Sequence, residues 1–126
     1  MKLRIRGDSI RIRVSQAELR EIAEGGSVRD RIRFGDGVAL TYVLESDPNV
    51  REPRARFAGQ VVAVALPDAT VRRWASSEEV SIEGEQPIGE GERLQILVEK
   101  DFACLQPRAG EDESDMFPNP ESAKTC

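Results

Sequence analysis

Seven arginines recur at alternate positions in two short runs: Arg4, Arg6, Arg11 and Arg13 in "KLRIRGDSIRIRV", and Arg29, Arg31 and Arg33 in "SVRDRIRF". Alternation with apolar residues is the period of a β-strand, so each run presents its guanidiniums on one face. With Gly7-Asp8 as a two-residue turn, Arg4 falls opposite Arg11, Leu3 opposite Ile12 and Ile5 opposite Ile10; with Asp8-Ser9 as the loop the partners change but the faces do not. Like charges directly opposed weaken a ladder, so negative groups are expected over this face. Three sources can supply them. Carboxylates on neighbouring strands (Glu45, Glu79, Glu83, Glu99 and Asp101 lie in strand-like segments) would give a structural charge lattice. A phosphate or carboxylate ligand would make an anion site, and an acidic protein segment would make an interface.

The chain carries such a segment itself. "EDESD" places Glu111, Asp112, Glu113 and Asp115 together, followed by Met116, Phe117 and "PNP". Blocks of like charge are solvated tails in most chains. Met116 and Phe117 would serve as apolar anchors if the carboxylates dock on an arginine face, in cis or on a second copy. The carboxylates lack the alternate spacing and glycine of a calcium loop.

Two further features bear on chemistry. Cys104 falls in phase with Ile96, Val98 and Phe102, which predicts a small core residue; a reactive thiol would need exposure and a cation such as Lys100 or Arg108 beside it. Cys126 is read as exposed. Glu99 and Asp101 share the opposite strand face, spaced for acid–base work or for ordinary ion pairs with the arginines.

Composition narrows the chemistry. The 126 residues contain no histidine, which removes Ser/His/Asp and Cys/His catalysis, the usual zinc hydrolase sites and histidine pH switching. Two cysteines are too few for a disulfide framework or a structural zinc site. No cofactor or metal is expected. Residues 1–63 hold 12 Lys/Arg against 9 Asp/Glu, and residues 64–126 hold 6 against 14, which returns the net charge of -5. An acidic domain repels phosphate backbones at long range, and aromatic stacking residues are missing from the arginine strands, so nucleic acid is not an expected partner. No apolar run approaches the roughly 20 residues of a membrane-spanning helix, and no secretory signal is visible. A cytoplasmic setting is expected, with a second copy or another protein as partner and a small anion as the alternative.

The elements that must position these residues are legible in outline. "VSQAELREIAEGG" has a capping box, Ser15 with Glu18, a staple of Val14 on Leu19, and Gly25 as the C′ residue, predicting a helix over 16–24. "VALTYVLE" follows the Gly35-Asp36-Gly37 turn as a strand. "SDPNVREP" is a loop, and "ARFAGQVVAVAL" is one long or two short strands, with 61–66 central because both faces are apolar. "PDATVRRWA" predicts a second short helix capped by Asp68, with Val71, Trp74 and Ala75 on one face. "EVSIEG" and "RLQILVEKDFACL" are two more strands, the last carrying Leu94, Ile96, Val98, Phe102 and Cys104 in phase. No internal repeat is apparent. The expected fold is α+β: a mostly antiparallel curled sheet or open barrel with two short helices over residues 1–106, then a polar, acidic, Pro-containing tail over 107–126.

"MKLRIRGDSIRIRVSQAEL", the "RFGDG" turn with "LTY", "EKDFACLQPR" and "EDESDMFPNP" resemble a family of small bacterial proteins of unknown function. The resemblance runs over nearly the whole chain and is most specific at "KDFACL" and "FPNP". It implies a bacterial, cytoplasmic, single-domain protein whose tail belongs to it, and it assigns no activity. The residues favour a non-enzymatic binding module, its arginine face met by its own or a partner's acidic segment. The rival is a small anion-binding protein or enzyme with Arg4, Arg11, Arg13 and Arg31 around a ligand and Glu99 or Asp101 as base.

Overall fold

A computed structural model of the chain describes residues 1–102. Its eight strands are β1 (Lys2–Ile5), β2 (Ser9–Val14), β3 (Ser27–Gly35), β4 (Val38–Asp47), β5 (Arg54–Ala58), β6 (Val61–Pro67), β7 (Ser81–Gly89) and β8 (Glu92–Lys100). Helix α1 (Gln16–Ala23) follows β2, and α2 (Asp68–Ala75) follows β6. The fold is α+β and mostly sheet. Hydrogen bonding divides the strands into two four-stranded mixed sheets, β1-β2-β8-β7 and β3-β4-β6-β5, neither of them closed, in keeping with the expected fold.

In both sheets the two outer pairs are antiparallel hairpins and the central pair, β2 with β8 or β4 with β6, is parallel. Central strands need apolar residues because they are flanked on both sides, and β6 is buried along most of its length. One apolar cluster fills the space between the sheets. It takes Ile10, Ile12 and Val14 from β2, Ile96 and Val98 from β8, Leu44 from β4, and Val64 and Leu66 from β6. Leu19 and Ile22 of α1 with Val71 and Trp74 of α2 complete it.

The first hairpin has the register of the Gly7-Asp8 turn rather than the Asp8-Ser9 one: Leu3 pairs Ile12, Arg4 pairs Arg11 and Ile5 pairs Ile10. The α1 capping box is formed, with the Glu18 amide donating to the Ser15 hydroxyl and the Ser15 amide to the Glu18 carboxylate. Helix α2 differs from expectation. Pro67 is its N-cap, without a side-chain cap bond, and Asp68 is already helical. There the Asp68 carboxylate lies in the first turn, favoured by the helix dipole, and pairs with Arg72 at 3.1 Å.

The last strand also stops earlier than its pattern suggests. The Asp101 amide donates to the Val14 carbonyl and the Lys100 amide to the Val80 carbonyl. Beyond these bonds both neighbouring strands have ended, so the ladder has nothing to continue on. Phe102 is exposed rather than in core phase, and Asp101, like Glu79 ahead of β7, lies outside the strands. Cys104 and Cys126 lie outside the described residues.

The chain order is a repeat that the sequence hides. Each half runs β-β-α-β-β, and each half contributes one hairpin to either sheet. Superposing the orders matches Gly35-Asp36-Gly37 with Gly89-Glu90-Gly91, Leu40 with Leu94, Glu45 with Glu99 and Asp47 with Asp101. In the helices, Ala17, Leu19, Arg20, Ile22 and Ala23 match Ala69, Val71, Arg72, Trp74 and Ala75. The two sheets are therefore pseudo-equivalent, and differences between matched positions mark where one half has become special. One such difference seals a seam. Gln86 of β7, where β3 has Ile32, accepts from the Ala55 amide at 2.8 Å and donates to the Ala55 carbonyl at 2.9 Å. This ties the β7 edge of one sheet to the β5 edge of the other.

Candidate functional site

Alternation places Arg11 and Arg13 on the outer face of β2, because Ile10, Ile12 and Val14 point into the core. The parallel ladder then sets Arg13 beside Glu99 and Arg11 beside Leu97 of β8. Both guanidiniums turn onto the same carboxylate oxygen: Arg11 Nε lies 2.7 Å and Arg13 Nε 2.8 Å from Glu99 Oε1. The Glu99 side chain is 8% exposed and that of Arg13 is 11% exposed, so the contact is largely removed from water. A buried charge needs such partners, and a charge-assisted bond is stronger where water is excluded. Lys2, opposite Arg13 on β1, reaches Asp101 at 2.8 Å. The carboxylates of Glu99 and Asp101 are thus in ion pairs with the basic hairpin.

The pairing is incomplete on the cationic side. Lys2, Leu3, Arg4, Arg11 and Arg13 line a hollow of about 130 Å³. Lys2, Arg4, Arg11 and Arg13 give it four cations, against the two carboxylates of Glu99 and Asp101. Among the described residues, Nη2 of Arg13 is buried with no hydrogen-bond partner. The hollow is of a size and polarity for one carboxylate or phosphate group, and its donors are guanidinium N–H groups suited to such oxygens.

The remaining expected arginines are elsewhere. Arg6 lies in the first turn, its amide bonded to the Ser9 carbonyl. Arg29, Arg31 and Arg33 line β3 in the other sheet, across from Val43, Thr41 and Ala39 of β4. The seven arginines therefore form two surfaces, and Arg31 cannot join Arg4, Arg11 and Arg13 around one ligand. On the matched positions of β6 the second half has Ala63 and Ala65 where β2 has Arg11 and Arg13. Glu45, the counterpart of Glu99, pairs instead with Arg56 at 3.3 Å. The double-arginine clasp is thus a specialisation of the first sheet. The tail residues Glu111, Asp112, Glu113, Asp115, Met116 and Phe117 lie outside the described residues.

A second polar cluster was not legible as one. Glu18 serves its cap and also pairs with the Met1 amino group. Burial pushes its carboxyl up, but the ammonium charge and the hydrogen bonds from that group and Ser15 outweigh burial and hold it below the ordinary value. Tyr42, paired with Asp30 in the β3–β4 ladder, has its hydroxyl pushed above the ordinary tyrosine value, first by burial and then by the Asp30 carboxylate and the Glu18 charge. Only the Ser15–Glu18 spacing signalled any of this.

A two-sheet α+β domain with a buried carboxylate clasped by two guanidiniums, beside an under-neutralised basic hollow, is the class of protein these features define. The chain belongs to DUF7009, a family of unknown function, whose profile matches residues 1–121. No curated protein and no solved structure matches it. Among the described residues, no helix is long and apolar enough to cross a membrane.

Proposed function

We propose that this chain is a bacterial, cytoplasmic, non-enzymatic binding module, and that the outer face of β1 and β2 takes up the carboxylates of an acidic peptide segment. The observation that carries this reading is the clasp at Glu99. Two guanidiniums share one oxygen, Arg13 Nη2 has no acceptor among the described residues, and Arg4 adds a further cation to the same hollow. A buried N–H without an acceptor costs about 1–3 kcal/mol, which an incoming carboxylate oxygen would recover. Residues 111–115 supply a segment of the required charge within the chain. Nine residues separate Phe102 from Asp112, enough for a span of roughly 30 Å when extended. Met116 and Phe117 then follow as apolar anchors. Glu99 is less suited to act as a general base, because its Oε1 already accepts from two guanidiniums.

A double-mutant cycle in the full chain tests the reading. One arm replaces Arg4 by Gln; the other neutralises the segment with Glu111→Gln, Asp112→Asn, Glu113→Gln and Asp115→Asn. Each arm is expected to lower the melting temperature at low salt. Their effects should be coupled by roughly 1 kcal/mol, a coupling that fades as salt is raised to about 0.5 M. Additive effects at low salt would exclude the chain's own segment as the bound anion. Stabilisation of the neutralised chain by inorganic phosphate, lost on Arg4→Gln, would move the assignment to a small anion.

A further inference from the structure

The two sheets are closed at one end and open at the other. Helices α1 and α2 contact each other and cover the end at which β2, β4, β6 and β8 finish. The opposite end carries four two-residue turns, Gly7-Asp8, Asp36-Gly37, Gly59-Gln60 and Glu90-Gly91. Each contains a glycine at positive φ, the conformation such tight hairpins need. Turns this short cannot fold over the space between the sheets.

The inward-facing apolar residues report the consequence. On each of the eight strands, exposure of these side chains rises toward the turns. Val98, Ile96 and Leu94 on β8, or Leu66, Val64 and Val62 on β6, run from buried to half-buried. On β1, β3 and β5 the series ends in Ile5 at 59%, Phe34 at 68% and Phe57 at 69% exposed, and on β4 and β7 in Val38 and Ile88, each close to half exposed. Ile5, Phe57 and Val38 belong by parity to the core, and Phe34 and Ile88 sit at the register shifts of β3 and β7; all five are exposed. Together they make an apolar face at the turn end, and contiguous exposed apolar patches of this kind mark interaction surfaces.

We infer that this apolar end is a dimer interface, and that its occupant is the same end of a second copy. Two observations favour that partner. The face is built from matched positions of the two halves, Ile5 with Phe57 and Phe34 with Ile88, so it has an approximate two-fold symmetry of its own. An isologous contact sets the same patch of two copies face to face, so these apolar side chains would meet their own kind. Its rim carries both signs of charge, Arg6, Arg33 and Arg93 with Asp8, Asp36, Glu90 and Glu92, which suits a surface that must meet itself and disfavours a strongly charged partner.

Sedimentation velocity of the full chain over a concentration series tests this directly. The expected species has twice the 14.0 kDa chain mass and persists when NaCl is raised, since burial of apolar surface is not screened. That salt response separates it from the acidic-segment contact, which salt weakens. Phe34→Asp with Phe57→Asp should weaken association at least tenfold while keeping far-UV circular dichroism and cooperative melting. Val80→Asp, at an exposed site just ahead of β7, should leave it unchanged. A monomer at every concentration would overturn the inference, as would a dimer that survives both phenylalanine changes or one lost equally with Val80→Asp.

Discussion

Arg13 and Glu99 stand directly across a parallel ladder, 86 residues apart in the chain, with Nε 2.8 Å from Oε1 and both side chains nearly shut off from water. Arg11 reaches the same oxygen from two residues away on β2. The expectation that negative groups lie over the basic hairpin is met here by a strand carboxylate of the chain itself, and Arg4 is left outside that pairing.

Removing Glu99 leaves two guanidiniums facing each other with little water to screen them. Glu99→Ala is expected to destabilise the chain by roughly 3 kcal/mol, as for other broken buried pairs. Lys2→Ala, which loses only the exposed pair with Asp101, should cost less than about 1 kcal/mol. Urea titration followed by circular dichroism compares the two. Equal small costs would mean that the Glu99 clasp does not hold the sheet.

Trp74 is fully buried at the contact of α2 with the core, and its Nε1 has no acceptor. Trp74→Ala should cost about 3–5 kcal/mol through the cavity it leaves. Trp74→Phe removes the unpartnered N–H along with some volume, so its cost should be about 1 kcal/mol. If the phenylalanine variant lost as much as the alanine one, the indole N–H would have to be bonded in solution.

The two shifted groups set opposite pH limits. Glu18 has its folded value below 4.5, so its contribution is fully present above pH 4.5 and is lost as pH falls through the folded value. Tyr42 has its folded value above 10.0, so the unfolded chain ionises first and stability declines as pH rises past 10. Glu18→Gln should flatten the acid limb of a melting-temperature profile, and Tyr42→Phe the alkaline limb. A profile unchanged by either substitution would contradict the contacts assigned to that residue.

What residues near each other in the chain could decide was readable before the fold was known. The turn at residues 7–9 and apolar alternation dictate which faces of β1 and β2 carry the arginines. The Ser15–Glu18 spacing dictates where α1 begins, and the doubly apolar run 61–66 makes a central strand. These depend on backbone geometry over a few residues. The parallel pairings of β2 with β8 and β4 with β6 have no local signature, because a parallel ladder is made only when distant segments meet. Those pairings send Arg11 and Arg13 to Glu99, carry Arg29, Arg31 and Arg33 to a different sheet, end β8 at Lys100 and leave Phe34 and Phe57 exposed. Residue types and periods determined which side chains share a strand face; only the long-range meeting of the two halves decided what each face looks at.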